Sequence, residues 1–178
     1  MDLKSIPKQK ILTLIFLLRN NQILLGMKKR GFGMGKWNGF GGKVEAGETI
    51  YNSAKRELIE ECGLTTTNLK FIGLITFNYD IEDKTFQVNV FTSDTFSGEL
   101  KETEEMLPQW FDIRDLPYDK MWGDDRYWYP LMFEQKFFYG NFLFKGYDEI
   151  INHSVKEVSE KELIQLHEEK VNYPLYNI

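Results

Sequence analysis

The chain has 178 residues, of which 42% are hydrophobic, 28% charged and 15% aromatic. That profile suits one globular domain with a real core and excludes a disordered chain, which carries few aromatics. The formal net charge of -5 argues against a nucleic acid polymer as partner, since such binders show a basic footprint. It leaves open a small phosphorylated ligand whose charge a bound metal can offset.

The N-terminal MDLKSIPKQK is mildly basic and precedes eight apolar residues, ILTLIFLL. A signal peptide would then need a small-residue cleavage site. Instead Arg19-Asn20-Asn21-Gln22 and a second apolar run follow, which predicts strands over 10–18 and 22–28 joined by an Asn-Asn turn. No run approaches the ~18 residues of a membrane span, so no membrane partner and a cytoplasmic location are expected. A glycine-rich loop, GFGMGKWNGFGG, covers 31–42. It is not a Walker loop, because its lysine lacks the following Ser or Thr at the required glycine spacing.

A helix is predicted over 49–62, with Thr49 as N-cap and Gly63-Leu64 as stop. The single cysteine, Cys62, excludes an intrachain disulfide and fits a reducing compartment. Carboxylates around it disfavour a thiolate, so it reads as packing. Strands follow over 69–79 and 84–95, joined by an acidic turn at 80–83, and a short strand over 108–113. A Trp- and Tyr-rich helix is expected over 124–135. A hairpin over 137–144 and 149–158 turns at Lys145-Gly146. Residues 159–170 suggest a short charged helix, and the final YPLYNI is expected to be loosely held. His153 and His167 form no metal-ligand motif and are expected at the surface. Strands and helices in mixed order point to one α/β or α+β domain.

The helix over 49–62 raises a question of charge. At about 100° per residue, Tyr51, Ala54, Leu58, Ile59 and Cys62 share one broad side and Glu57, Glu60 and Glu61 cluster roughly opposite. Like charges at i,i+3 and i,i+4 cost roughly 0.2–0.5 kcal/mol per pair. A solvated face would explain one such cluster. The surrounding spacing favours another reading. Gly42, five residues, Glu48, seven residues, Arg56-Glu57-Leu58, one residue, Glu60-Glu61, one residue and Gly63-Leu64 form a pattern whose chance occurrence is on the order of 10⁻⁹ per start point. Hard divalent cations want a few carboxylates plus phosphate and water oxygens. Repulsion among these glutamates becomes affinity once such a cation arrives. Arg56 can hold a carboxylate through its fork of donors, and the glycines let backbone approach closely.

This pattern resembles the signature of the Nudix hydrolases, without a gap or mismatch. The resemblance implies an α/β/α sandwich with a mixed central sheet and a loop-helix-loop motif. It implies Mg²⁺-dependent hydrolysis of a nucleoside diphosphate derivative, with Mn²⁺ as a substitute. Carried onto this chain, it makes Glu57, Glu60, Glu61 and the Gly41 carbonyl metal ligands, with Arg56 in the catalytic set. Glu61 is favoured as general base, with Glu60 and Glu105 as rivals.

Within the family, GMKKRGFGMGKWNGFGGKVEAGETI from Gly26, VNVF at 88–91, EEM at 104–106 and MWGDDRYWYPLM at 121–132 resemble the eukaryotic MutT homologues. The resemblance runs over 11–158, taken as the Nudix domain, and leaves 1–10 and 159–178 as extensions. It implies hydrolysis of 8-oxo-dGTP and 2-hydroxy-dATP to monophosphate and pyrophosphate, which sanitises the nucleotide pool. It implies a monomer in the cytoplasm, with nucleus and mitochondrion as further locations. Asn38, Asp124 and Asp125 would read the base edge and Trp122 would stack on it. Phe32, Phe77, Tyr79, Thr13, Leu14, Met106 and Trp128 would line the pocket. Phe40, Gly41, Gly42 and Lys28 would meet the nucleotide, and Glu105 would join the metal site. Two adjacent aspartates in an apolar slot resist ionising together, so one can keep its proton. Three positions depart from the pattern: Phe86 replaces a common Met, Tyr79 a common Phe, and Gly123 a Pro. Two alternatives stand beside this reading: a Nudix hydrolase for a dinucleoside polyphosphate or ADP-ribose, and a Nudix-fold module that binds nucleotides without cleaving them.

Overall fold

Asn20 and Asn21 both sit in the left-handed region, at φ 46° and 59°. A two-residue turn with two positive φ values matches the twist of its flanking strands. It joins β1 (Lys8–Arg19) to β2 (Gln22–Lys28) with Leu17 opposite Leu24. The structure, a computed structural model, describes residues 8–176. In chain order the other elements are β3 (Trp37–Asn38), α1 (Ile50–Cys62), β4 (Leu64–Thr65), β5 (Lys70–Tyr79), β6 (Lys84–Ser93), β7 (Ser97–Gly98), β8 (Met106–Asp112), α2 (Asp125–Phe133), β9 (Phe138–Lys145), β10 (Glu149–Glu157) and α3 (Glu160–Lys170).

The main sheet runs β10-β9-β5-β6-β1-β2-β3, with β8 also on β2. β1 lies parallel to β6 from Lys8↔Lys84 to Leu17↔Ser93, and β5 lies parallel to β9. The remaining pairings are antiparallel, so the sheet is mixed. β2 pairs with β1 only near the turn. Beyond Leu24 it continues along β8 and β3. The gap this opens beside β1 is filled by the glycine-rich loop. Phe40 and Ile15 exchange backbone hydrogen bonds at 2.6 and 3.0 Å, and the Thr13 amide donates to the Gly42 carbonyl at 2.9 Å. Curling of the sheet around this insertion creates the concavity described below.

Alternation along β1 sends Ile11, Ile15 and Leu17 to one face and Leu12, Phe16 and Leu18 to the other. The first face packs against Ile50, Ala54, Leu58 and Cys62 of α1 and Leu163 of α3. The second packs with Trp128, Tyr129 and Met132 of α2. Helices on both faces of a mixed sheet make the expected α/β/α sandwich. Among the described residues, no helix is long and apolar enough to cross a membrane.

The structure corrects several sequence expectations. β8 begins at Met106 rather than 108, and α2 ends at Phe133, just before Gln135 enters the left-handed region. β3 and the β4–β7 pair were not anticipated, being too short to show a period. Ile59, placed on the apolar side of α1, is 48% exposed, while Glu61 is 2% exposed. His167 is buried, because Asn89 and Tyr173 offer its ring nitrogens partners. Residues 173–176 are packed rather than loose. Leu175 is buried against the α1 side of the core, and Tyr176 lies against Tyr51. Asn177 and Ile178, also in the YPLYNI stretch, lie outside the described residues, as do residues 1–7 of the N-terminal extension.

Candidate active site

The site begins with the ends of α1. The Thr49 side chain accepts from the Asn52 amide at 3.1 Å, and Gly63 closes the helix at φ 78°. Between them Ile50, Ala54, Leu58 and Cys62 recur every four residues and anchor the helix in the core. That anchoring fixes where the acids point.

Arg56 organises the patch. Its guanidinium donates to Glu48 at 2.6 and 2.9 Å, to Glu57 at 2.9 Å and to Glu60 at 3.2 Å. The fork holds the Glu48 carboxyl down at about 2. Glu57 stands against the loop. A Cβ on Gly42 would lie 2.5 Å from its Oε1, so only glycine lets the carboxylate sit there. Burial pushes Glu57 up despite Arg56, and Glu60 and Glu105 add to the push. Glu61 faces inward, and its Oε2 accepts from the Gly41 amide at 3.0 Å. Burial pushes it up to about 8, against the pull of the Gly41 amide and Lys28. Glu60 is the most outward of the set, with its side chain 57% exposed. Glu105 reaches the same rim, held by Arg30 at 3.1 Å.

As placed, these carboxylates turn to arginines and to a backbone amide. Among the described residues, no three His, Cys, Asp or Glu side chains converge tightly enough to hold a metal ion. The donor set nevertheless fits a hard cation. Glu57 and Glu61 press on Gly42 and Gly41 respectively, and Glu57 feels both Glu60 and Glu105. An all-oxygen cluster held up by mutual repulsion and burial is what Mg²⁺ relieves.

A cavity of about 770 Å³ opens beside this patch, within the size range of small-ligand pockets. Glu61, Glu105, Gly41 and Gly42 line it. Asp124, Asp125, Asn38 and Trp122 line it as well, with Thr13, Leu14, Lys28, Phe32, Phe77, Tyr79, Met106 and Trp128. The structure thus gathers residues separated by more than a hundred positions. Phe32 stacks on Trp122 with ring centroids 5.1 Å apart, and Lys36 lies 4.9 Å over the same ring.

The aspartate pair is buried. Asp124 Oδ2 accepts from the Trp128 indole N–H at 2.9 Å, while Asp125 Oδ2 and the Tyr129 hydroxyl have no partner. Burial pushes Asp124 up to about 6. It pushes Asp125 well above the usual carboxylate range, with the neighbouring Asp124 charge adding to the shift. Burial and the neighbouring charge favour the neutral form of Asp125 over the Trp122 backbone hydrogen bond that opposes it.

Phe40 is a correction. It is fully buried in the core that holds α1 and is not among the residues lining the cavity. Sequence reasoning missed Lys36, Phe144, Tyr147 and Glu82 as lining residues. Tyr147 packs edge-on to Phe32 and donates to Glu82 at 2.6 Å. Alternation along β9 could have pointed to Phe144, but no local signal marks Tyr147.

The NUDIX domain family model matches residues 8–132. The oxidized purine nucleoside triphosphate hydrolase of Danio rerio is 51% identical over 151 residues, covering 85% of this chain and 97% of that protein. The protein of the same name from Mus musculus is 46% identical over 149 residues, covering 84% of this chain and 96% of that protein. A MutT mutator protein from Bacillus halodurans shares the fold with a TM-score of 0.73 at 26% identity, covering 83% of this chain and 97% of that one.

Proposed function

The chain belongs to the Nudix hydrolase family, and on that premise we propose that it hydrolyses oxidised purine nucleoside triphosphates to the monophosphate and pyrophosphate. In this reading Glu57, Glu60, Glu61, Glu105 and the Gly41 carbonyl hold Mg²⁺, or Mn²⁺ in its place. The cation, when bound, polarises the phosphoryl group and neutralises charge on the leaving pyrophosphate.

The observation that carries the substrate class is one continuous cavity with a buried aspartate pair and two glutamates of the acidic cluster, Glu61 and Glu105, on its wall. Asp125 keeps its proton and donates. Asp124, already engaged by Trp128, accepts. Together with Asn38 they offer both kinds of hydrogen bond to a purine edge, which suits bases altered at either position. Trp122 and Phe32 cover the ring face. Lys28 lines the cavity, close enough for its charge to act on Glu61, and there it meets phosphate. Glu61 is the general base, its affinity for a proton raised by burial toward the working pH. Two relatives of the same name, both matched over nearly their full length, support this reading. The setting is the pool of free nucleotides in the cytoplasm, with the chain acting as a monomer.

The test is pyrophosphate release with Mg²⁺ from 8-oxo-dGTP, 2-hydroxy-dATP, dGTP and ADP-ribose at limiting substrate. Preference for the two oxidised purines over dGTP is expected. Turnover of ADP-ribose or dGTP alone would keep Nudix chemistry and discard the base-pocket assignment.

A further inference from the structure

The first four N–H groups of any helix lack a partner within it. In α1 the Asn52 N–H is met locally by the Thr49 hydroxyl, and the first intrahelical bond runs from Ser53 N–H to the Thr49 carbonyl. Two others are met from the far end of the chain. The Ile50 amide donates to the Pro174 carbonyl at 3.0 Å and the Tyr51 amide to the Leu175 carbonyl at 3.1 Å. α1 has no acidic side chain in its first turn, so these two carbonyls supply the negative ends its dipole favours there. The helix that carries Glu57, Glu60 and Glu61 is therefore seated by a strap outside the residues matched by the family model.

What holds the strap is His167. Its Nε2 lies 3.1 Å from the Tyr173 carbonyl, and its Nδ1 lies 3.0 Å from Oδ1 of Asn89. Both partners accept, because the Asn89 amide nitrogen is already given to Leu12, so the single proton of a neutral ring serves one of them, and the strap requires it on Nε2 toward the Tyr173 carbonyl. Asn89 in turn donates to the Leu12 carbonyl at 3.2 Å, one residue before Thr13, whose amide binds the Gly42 carbonyl. Val171 and Leu175 are buried on either side of the hook. The Gln9 side chain also donates to the Lys170 carbonyl at 2.6 Å. One buried ring thus ties the strap to the strand beneath the glycine loop.

We propose that His167 is a positioning residue of the hydrolytic site. It acts by fixing residues 171–175 across the N-terminus of α1, which sets the depth at which Glu57 and Glu61 meet Gly42 and Gly41. The inference rests on the hydrolase reading above, but one of its readouts needs no turnover. The contact that matters is the one to Tyr173, since that contact holds the strap.

The test compares His167→Gln, His167→Asn and His167→Phe in the full chain. The Gln amide nitrogen takes the place of Nε2 and keeps the Tyr173 contact. The Asn amide nitrogen takes the place of Nδ1, where it donates to Asn89 Oδ1, and loses the Tyr173 contact. Phe keeps neither. Two quantities are read: hydrogen exchange at the Ile50 and Tyr51 amides, and kcat and KM on whichever nucleotide the wild type turns over. Gln is expected to keep near-wild-type exchange and kcat. Asn and Phe are expected to speed exchange at both amides and lower kcat about tenfold with KM little changed, as a small misplacement of catalytic groups does. A melting point that falls equally in Gln and Asn while their kcat values separate would support positioning. Equal loss of kcat in Gln and Asn, or unchanged exchange at Ile50 and Tyr51 in Phe, would overturn it. Should the Phe variant fail to fold, Leu175→Ala loosens the strap from its other anchor. The same paired change in exchange and kcat is then required, and its absence overturns the proposal. A wild type that turns over no nucleotide defeats the hydrolase reading and leaves the exchange result standing.

Discussion

The Gly41 amide donates to Oε2 of Glu61 at 3.0 Å, joining the glycine loop to the catalytic helix across twenty positions of sequence. One oxygen of this buried carboxylate is thereby held against backbone. The carboxylate lines a cavity whose wall also carries the aspartate pair.

Replacing Glu61 by Gln keeps an oxygen that can accept from Gly41 but removes the proposed base and cation ligand. The fold should survive and kcat should fall by about 10²–10⁴, the usual worth of a positioned general base. Steady-state rates with saturating Mg²⁺ check this. A variant within a few-fold of wild type would move the role to Glu60 or Glu105.

The raised affinity of Glu61 for a proton also has a consequence for stability. Its value is about 8 in the fold against 4.5 for the free side chain. The folded state therefore holds the proton more tightly than the unfolded one. The stability this confers is fully present below pH 4.5 and is lost as pH rises through 8. Metal-free protein in EDTA should melt lower at pH 8.5 than at pH 6, and the Glu61→Gln variant should lose much of that slope. Added Mg²⁺ should restore the melting point at pH 8.5. A metal-free melting point that climbs with pH, equally in both proteins, would contradict the burial argument. His167 works in the opposite sense, since burial lowers its proton affinity and its neutral form is favoured, so it contributes a loss on acidification below about 6.5.

Much of this was legible in the linear sequence, and for local reasons. The Asn20-Asn21 turn, the Thr49 cap and the Gly63 stop each depend on residues within a few positions. So does the Arg56-centred acid cluster, since helix geometry brings i and i+4 together. The failures share a different cause. Glu61 lies one position from the exposed Glu60, yet it faces inward because the Gly41 amide waits for it. Phe40 lies in a loop with every mark of a ligand-facing segment, but its backbone bridges to Ile15 and its ring is buried in the core. His167 looked like a surface residue in SEKELIQLHEEK. Its partner Asn89 lies 78 positions away and Tyr173 is met only when the chain doubles back. The YPLYNI tail looked loose because its anchoring uses backbone carbonyls, which no side-chain pattern reveals.

The aspartate pair is asymmetric by one hydrogen bond. Trp128 engages Asp124 four residues back, whereas Tyr129 makes no such bond to Asp125. Asp125→Asn should keep a neutral donor and preserve the fold. Asp124→Asn should remove the acceptor and place an amide opposite the Trp128 N–H. The two variants should therefore shift the ratio of kcat/KM for 8-oxo-dGTP to that for 2-hydroxy-dATP in opposite directions. About tenfold between them is expected, since an unpaired polar group at a base edge costs that much or more. Unchanged ratios in both variants would remove the pair from base recognition.

Arg56 makes contacts that lysine cannot reproduce. Its fork spans Glu48 with two hydrogen bonds and still reaches Glu57 and Glu60. Lysine keeps the charge but offers a single point of contact. Arg56→Lys should lose about 2 kcal/mol of stability, less than a fully buried pair because a quarter of the side chain is exposed. Glu48 reports the loss directly. Held at about 2 in the wild type, it contributes stability that is present above pH 4.5 and disappears as pH falls toward 2. In the Arg56→Lys variant its titration should move back up toward 4.5, and the acid unfolding midpoint should rise with it. Carboxyl chemical shifts followed by NMR across pH 2–6 measure the first effect, and circular dichroism over the same range measures the second. Activity should fall more than stability does. Glu57 and Glu60 would lose the donor that spaces them, and the carboxylates proposed to hold the cation would become free to swing apart.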